Sequence, residues 1–460
     1  MVNGTADGER APLERPVPAP ATAGRQPPAS RLPRGLSAFQ HRNYRLFWFG
    51  QLVSVTGTWM QTLAQSWLVL SLTSSAFRLG LVNVFQFAPV LALGLVGGVL
   101  ADRFPKRSLL VATQTTSALL AAALALLVWS GQVQLWQVYA LALGLGIVNA
   151  LDMPTRQAFV VDMVGKDDLM NAIALNSSLF NAARIVGPAL AGLLLATVGM
   201  AACFGINAVS YLAVIAGLLL MRLEPGRRQP AGGDIARLRE GLAYVRRTPG
   251  VYFPIILVGL VGTFGMNFAV WVPLLAKHDL DVGAGGFGIL MSSLGVGALI
   301  GALGLAFVGR SPSRRYIVGT AMALGAMEVL LALAAAIPLP VAVAMVLLAG
   351  LGLAMTTTMA MANTRVQTTA PDELRGRVMS VYMTVFAGTG PFGALLAGVA
   401  ATALGTPGSL ALGGAVTVAA AIAVALMSRR VSAAAPLPAP RESDEIPAPR
   451  FGPRSSPTPR

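Results

Sequence analysis

The chain has 460 residues, of which 55% are hydrophobic and only 12% charged, and its net charge is +15. A water-soluble domain carries roughly 25% charged residues, so most of this surface is not built for water, in line with a mean hydropathy of +0.67. The arginine excess is no nucleic-acid footprint, because it is confined to tails and short links between uncharged runs, and the single Cys203 excludes an intrachain disulfide and a cysteine metal cluster.

Residues 1–40 are rich in Pro, Ala and Arg and are expected to form a disordered cytoplasmic tail. No signal peptide is read there, since the first hydrophobic run begins near Leu46. A helix needs about 20 apolar residues to cross a bilayer. The uncharged stretch from Arg45 to Arg78 therefore holds one span, and those from Arg107 to Asp152, Arg184 to Arg222 and Arg377 to Arg429 hold hairpins. Twelve helices are predicted, near 46–72, 79–101, 108–130, 134–155, 171–196, 200–221, 251–276, 285–309, 316–337, 340–362, 376–403 and 406–428. They divide into an N-terminal six-helix bundle (41–221) and a C-terminal one (251–430), joined by a cytoplasmic linker (222–250) and followed by a second disordered tail (431–460). Within the linker, Ile235, Leu238, Leu242 and Val245 share one helix face. That face suits either the membrane surface or a solvated spacer helix.

The first span carries an unusual polar stripe. Gln51, Ser54, Thr58, Gln61 and Gln65 follow i, i+3, i+4 spacing, and lipid would leave their polar groups unpaired. Asn83 and Gln86 in span two, Asn149 in span four, Asn176 and Asn181 in span five, and Asn267 with Trp271 in span seven extend the set. These residues either line a substrate cavity or hydrogen-bond between helices. A cavity of neutral polar groups suits a bulky amphipathic organic compound better than a simple ion. Ionisable groups within spans are costly and invite a role in coupling. The candidates are Asp152 with Arg156 four residues on, Arg184 midway along span five, and Glu328 midway along span nine. Asp152 is the first choice for a proton carrier and Glu328 the second. A lipid-facing protonated Glu328 and a purely structural Asp152–Arg156 pair are the alternatives.

Links after even-numbered spans carry nearly all the basic residues, so both termini are expected to be cytoplasmic. The two halves also repeat. Arg103 matches Arg310, Pro105 matches Pro312 and Arg107 matches Arg314, all at an offset of 207, while Thr155 and Arg156 match Thr364 and Arg365 at 209. Parallel six-helix repeats with a mid-membrane site at their interface are a secondary-transporter architecture.

Gly98, Asp102, Arg103, Pro105, Lys106 and Arg107, between spans two and three, resemble the signature of the major facilitator superfamily, with Pro105 where that signature usually has Gly. Gly187, Pro188 and Gly192 in span five resemble its exporter-associated motif. Trp59, Pro154, Thr155, Arg156 and Asn181 resemble the branch that contains the enterobactin exporter and many bacterial efflux proteins. The resemblance implies an all-α integral membrane fold of 12 transmembrane helices in two parallel-repeat bundles, in the inner (plasma) membrane of a bacterium. It also implies a cytoplasmic latch made of Gly98, Asp102, Arg103, Lys106, Arg107, Arg310 and Arg314, for which a topology-setting basic loop is the simpler alternative. Gly187 and Pro188 are then a hinge or seam, or ordinary packing residues. The implied function is secondary active export of a small organic molecule such as a siderophore, an antibiotic or another lipophilic metabolite, by alternating access and proton antiport. An importer or lysolipid flippase on the same scaffold, and a non-transporting receptor, remain alternatives. Neither an enzyme nor a cofactor is expected, because no metal cluster, nucleophile–base pair or nucleotide-binding loop is found. The expected partners are substrate, proton and lipid bilayer, without nucleic acid, for a chain working as a monomer.

Overall fold

In the computed structural model the described residues are 34–165, 167–222, 235–308, 313–337 and 340–434. The side chains of 34–35, Leu95, Asp102, 235–239, 306–308, 372–373 and 428–434 lie outside that description. The described residues are helical throughout apart from short links. They form α1 (Arg42–Thr73), α2 (Ala76–Arg103), α3 (Lys106–Trp129), α4 (Leu135–Val164), α5 (Leu169–Thr197), α6 (Met200–Leu220), α7 (Ile235–Arg247), α8 (Pro249–Phe264), α9 (Phe268–Leu274), α10 (Gly283–Val308), α11 (Arg314–Ala335), α12 (Val341–Thr369) and α13 (Asp372–Ala434).

Ten segments among the described residues are long and apolar enough to cross a membrane. The last of them, Leu374–Met427, is two crossings in one, because Gly405 takes φ of 74° and turns the chain back on itself. That left-handed conformation costs a glycine nothing. α1 has the length of a span but too polar a composition to be counted by hydropathy. With these two adjustments there are twelve crossings, as the uncharged stretches predict. Span seven is α8 and α9 together, interrupted at Gly265–Asn267 and continued by a π-helical turn to Asp279.

The packing repeats from one half to the other. α2 lies on α4 and α3 on α6, as α10 lies on α12 and α11 on the end of α13. Small residues make these approaches possible. A Cβ on Gly97 would stand 2.0 Å from the Ala150 carbonyl oxygen, and one on Gly297 1.7 Å from that of Ala349. The halves meet along two seams, α2 with α13 and α5 with α10.

Three boundaries differ from the sequence expectation. Residues 34–40, expected within a disordered tail, form a short 3-10 helix. Ala38 is fully buried, its N–H donates to Asn171 Oδ1 (2.9 Å), and Phe39 packs edge-on against Trp48. α4 and α12 run to Val164 and Thr369, well past the predicted ends at 155 and 362. Their extra turns carry polar groups (Asp162, Arg365, Gln367) that extend beyond an apolar slab, where hydropathy alone stops counting. α7 lies neither free in solvent nor alone on a membrane. Val245 is buried, Gly241 sits against the Arg377 backbone, and Glu240 pairs with Arg377 of α13.

Candidate functional site

The polar stripe of α1 faces its neighbours in the N-terminal half. Gln51 is buried and its Oε1 accepts from Arg156 (2.8 Å). Gln61 Oε1 accepts from Asn207 Nδ2 of α6 (2.7 Å), and a Cβ on Gly57 would overlap Asn207 and Ser210. Gln65 and Ser54 are buried, and Thr58 bonds back to the Ser54 carbonyl. Interhelical hydrogen bonding thus accounts for Gln51 and Gln61. Of their partners, Asn207 escapes notice in the sequence because it sits singly in an apolar run.

Asp152 stands at the centre of this network. It is 1% exposed, pairs with Arg156 one turn on, and its Oδ1 lies 2.7 Å from Thr113 Oγ1 and 2.8 Å from Gln114 Nε2. A buried carboxylate with a cation and two donors is well satisfied as an anion. Glu328 is the opposite case. It is fully buried in the C-terminal half, not facing lipid, and neither carboxyl oxygen has a hydrogen-bond partner among the described residues. Thr417 Oγ1, also without a partner, and Gly265 flank it, so three orphaned oxygens gather where span seven breaks.

Several of the other candidates sit apart from that centre. Trp271, expected as cavity surface, is instead core: it is 2% exposed, packs against Gly413, and its Nε1 donates to Ser409 Oγ (2.9 Å), as a buried indole N–H must find an acceptor. Asn267 is buried beside Gly393 and bonds to the Thr263 carbonyl, and Asn176 accepts from the Tyr44 hydroxyl (3.1 Å). Among the described residues, Asn83 and Asn181 bond only to their own helices. Gln86 and Asn149, half-buried on α2 and α4, have no side-chain partner among the described residues. Arg184 lies with its guanidinium carbon 5.4 Å from the centre of the Trp59 ring, a cation–π arrangement at the α5–α10 seam.

The basic residues of the two repeated hairpins brace their own halves. Lys106 pairs with Asp162 (2.7 Å), Arg107 donates to the Leu219 carbonyl (2.7 Å), and Arg314, the repeat of Arg107, reaches the Ala425 carbonyl (3.5 Å). Arg103 is exposed. The Asp102 side chain and Arg310 lie outside the described residues, so the latch is represented only by these remaining members.

Contacts between the halves concentrate at the end away from these hairpins. There Gly80 faces the Ala394 carbonyl, Gly398 faces that of Ala76, and a Cβ on Gly192 would come within 2.7 Å of Gly288 Cα. Gly187 packs against Trp59 and Thr56 of α1. Trp67 stacks on Phe287 (5.7 Å), and Lys277 caps the end of α1 by donating to the Leu70 carbonyl. Towards the basic end, a Cβ on Gly94, Gly98, Gly304 or Gly376 would meet nothing within 4 Å. The exporter-like motif thus divides its work, with Gly187 on α1 and Gly192 on the seam itself.

A profile of the transmembrane secretion effector family matches residues 34–453. The chain is 30% identical to the multidrug efflux pump Tap of Mycolicibacterium fortuitum over 78% of its own length and 89% of that protein. It is 27% identical to the enterobactin exporter EntS of Shigella boydii over 57% of its length and 63% of the exporter. Among solved structures, the nucleoside transporter NupG aligns with a TM-score of 0.66 at 14% identity, covering 84% of this chain and 98% of NupG. An inward-facing bacterial homologue of the lysosomal transporter Spinster aligns at 0.64 and 13% identity, covering 89% and 100%. These two likenesses speak to the fold alone.

Proposed function

The chain belongs to the transmembrane secretion effector family, within the major facilitator superfamily, and on that premise we propose that it exports bulky amphipathic organic molecules from the cytoplasm in exchange for protons. Efflux pumps and siderophore exporters among its relatives support export of small organic molecules. One observation supports the mechanism: glycines meet across both seams at the end opposite the basic hairpins, whereas a Cβ on Gly94, Gly98, Gly304 or Gly376, towards the basic end, would meet open space. By the positive-inside rule the basic end is cytoplasmic. The arrangement is then the loading state of an exporter, sealed outside by Gly192 against Gly288 and by Lys277 on α1.

Substrate enters between the halves and meets Asn83, Gln86, Asn149 and Asn181, whose side chains bond to no neighbouring helix among the described residues, and Arg184 over Trp59. Arg184 anchors an anionic or electron-rich part of the substrate, and the neutral amides admit varied polar groups around an apolar body. Glu328 is the proton carrier in preference to Asp152. Asp152 is already neutralised by Arg156, so taking a proton would break a satisfied pair. An ionised Glu328 has nothing to balance it among the described residues. It must take a proton, or gain a partner when span seven bends at Gly265–Asn267. The latch hairpins close the cytoplasmic end in the alternate state.

Uptake of a labelled efflux substrate into inverted membrane vesicles tests this reading. Accumulation should require an inward-acid pH gradient and collapse when a protonophore is added. Accumulation indifferent to the gradient would remove proton exchange, and uptake confined to right-side-out vesicles would reverse the direction.

A further inference from the structure

A cavity of about 850 Å³ opens at the basic end of the C-terminal half between α8, α11, α12 and α13. Three guanidinium side chains, those of Arg314, Arg315 and Arg365, line it, and no carboxylate does among the described residues. The repeat shows why this is unusual. Arg365 is the counterpart of Arg156, which is held by Asp152 and Gln51. At the offset of 209 the place of Asp152 is taken by Met361, and α8 offers Leu257 and Val258 around the register of Gln51. The C-terminal half has kept the cation and lost both groups that satisfied its twin. Among the described residues Arg314 reaches only the Ala425 carbonyl, at 3.5 Å. Two helices also begin at this cavity, α8 at Pro249 and α11 at Arg314, and their N-termini favour an anion.

We infer that this cavity binds the phosphodiester headgroup of an anionic phospholipid. Like charges brought together at the edge of a low-dielectric slab need a counter-anion, and a planar guanidinium pair suits a phosphate. The opposite wall decides between a lipid and a soluble phosphate. Phe253, Pro254 and Leu257 give the cavity an apolar side, against which the first acyl carbons of a lipid would lie and a free ion gains nothing. Basic pockets between membrane helices at the cytoplasmic leaflet are the usual seats of such headgroups. The site lies within the C-terminal half, whereas the exported substrate is proposed to pass between the halves.

The test is native mass spectrometry and thermal unfolding of the full-length protein in mild detergent, with phosphatidylglycerol, phosphatidylcholine or inorganic phosphate added. The unaltered protein should retain phosphatidylglycerol and be stabilised by it, but not by phosphatidylcholine. Arg365→Gln with Arg315→Gln should weaken that binding by roughly five-fold for each guanidinium removed. Arg78→Gln, at the opposite end, should leave it unchanged. If the double variant fails to fold, the lipid comparison on the unaltered protein still decides. Equal stabilisation by both lipids, or undiminished binding by a folded double variant, would overturn the inference. Stabilisation by phosphate alone would do so too, by assigning the cavity to a soluble anion.

Discussion

Arg156 and Arg365 occupy matching places in the two halves, and their surroundings could hardly differ more. Around Arg156 the N-terminal half has built a closed network: Asp152 at the centre, Gln51 from α1, Thr113 and Gln114 from α3. Around Arg365 there is a cavity and two more arginines. The carboxylate of the C-terminal half lies elsewhere, at Glu328, buried and without a partner. A common scaffold has thus been divided by charge. The N-terminal half holds Asp152 and Arg156 in a fixed pair, which gives rigidity. The C-terminal half leaves Glu328 without a partner among the described residues, which is what a group that changes protonation requires.

The sharpest way to break this contrast is to remove the acid from the N-terminal network. Asp152→Asn leaves Arg156 partly buried with no counter-charge, and breaking a buried pair in this way costs about 3–5 kcal/mol. The unfolding midpoint in detergent should fall steeply. Arg365→Gln in delipidated protein should move stability by no more than about 0.5 kcal/mol. Equal losses at the two sites would mean that the halves are not asymmetric in this sense.

A second contrast lies between the two ends of the seams. Gly288→Ala forces a methyl group into the Gly192 backbone, and overpacking of this kind costs roughly 1–3 kcal/mol. Because the penalty falls only on the state closed at that end, conformers open there should gain roughly ten-fold or more. Spin labels at Phe77 and Leu404 should then report longer distances. Gly304→Ala, at the loose end, meets open space and should change nothing.

The smallest effect concerns the entrance to α5. Asp168 accepts from Gln40 (2.6 Å) and His41 (2.8 Å), fixing the 3-10 helix against the bundle, whereas the corresponding position before α13 is Pro371. Hydrogen bonds from Ser37, then His41 and Gln40, hold its carboxyl below the usual carboxylate value, against partial burial. A depressed acid stabilises the fold above its unfolded value and loses that contribution as pH falls through its folded value. Residues 34–41 should therefore undock in acid. Hydrogen exchange of their amides should rise at low pH in the native chain, and be high and independent of acid in Asp168→Asn. Unchanged protection across the acid range would show that this anchor does not matter.

The sequence made some of this visible and hid the rest for definite reasons. The twelve crossings, the repeated basic hairpins and the α1 stripe all follow from spacing, because period and charge position are one-dimensional facts. Spacing shows that Gln51 and Gln61 share a face. It does not show that the face meets Asn207 and Arg156, which lie more than a hundred residues away. Glu328 could be read as lipid-facing because only the rotation of α11 against Gly414 and Thr417 determines its side. Trp271 had an apolar body suited to a cavity, and its burial depended on Ser409, a partner that no local pattern reveals. The Arg365 cavity was legible only in part. The repeat was there to read, but the lack of a carboxylate beside Arg365 among the described residues becomes informative only once Arg156 is seen to have one.

In the proposed mechanism Glu328 exchanges its proton as the halves rock. Vesicles containing Glu328→Gln should lose pH-driven accumulation of substrate, yet still exchange labelled for unlabelled substrate across the membrane, because the path and both gates are intact. Gradient-driven accumulation at the native rate in that variant would contradict the account directly.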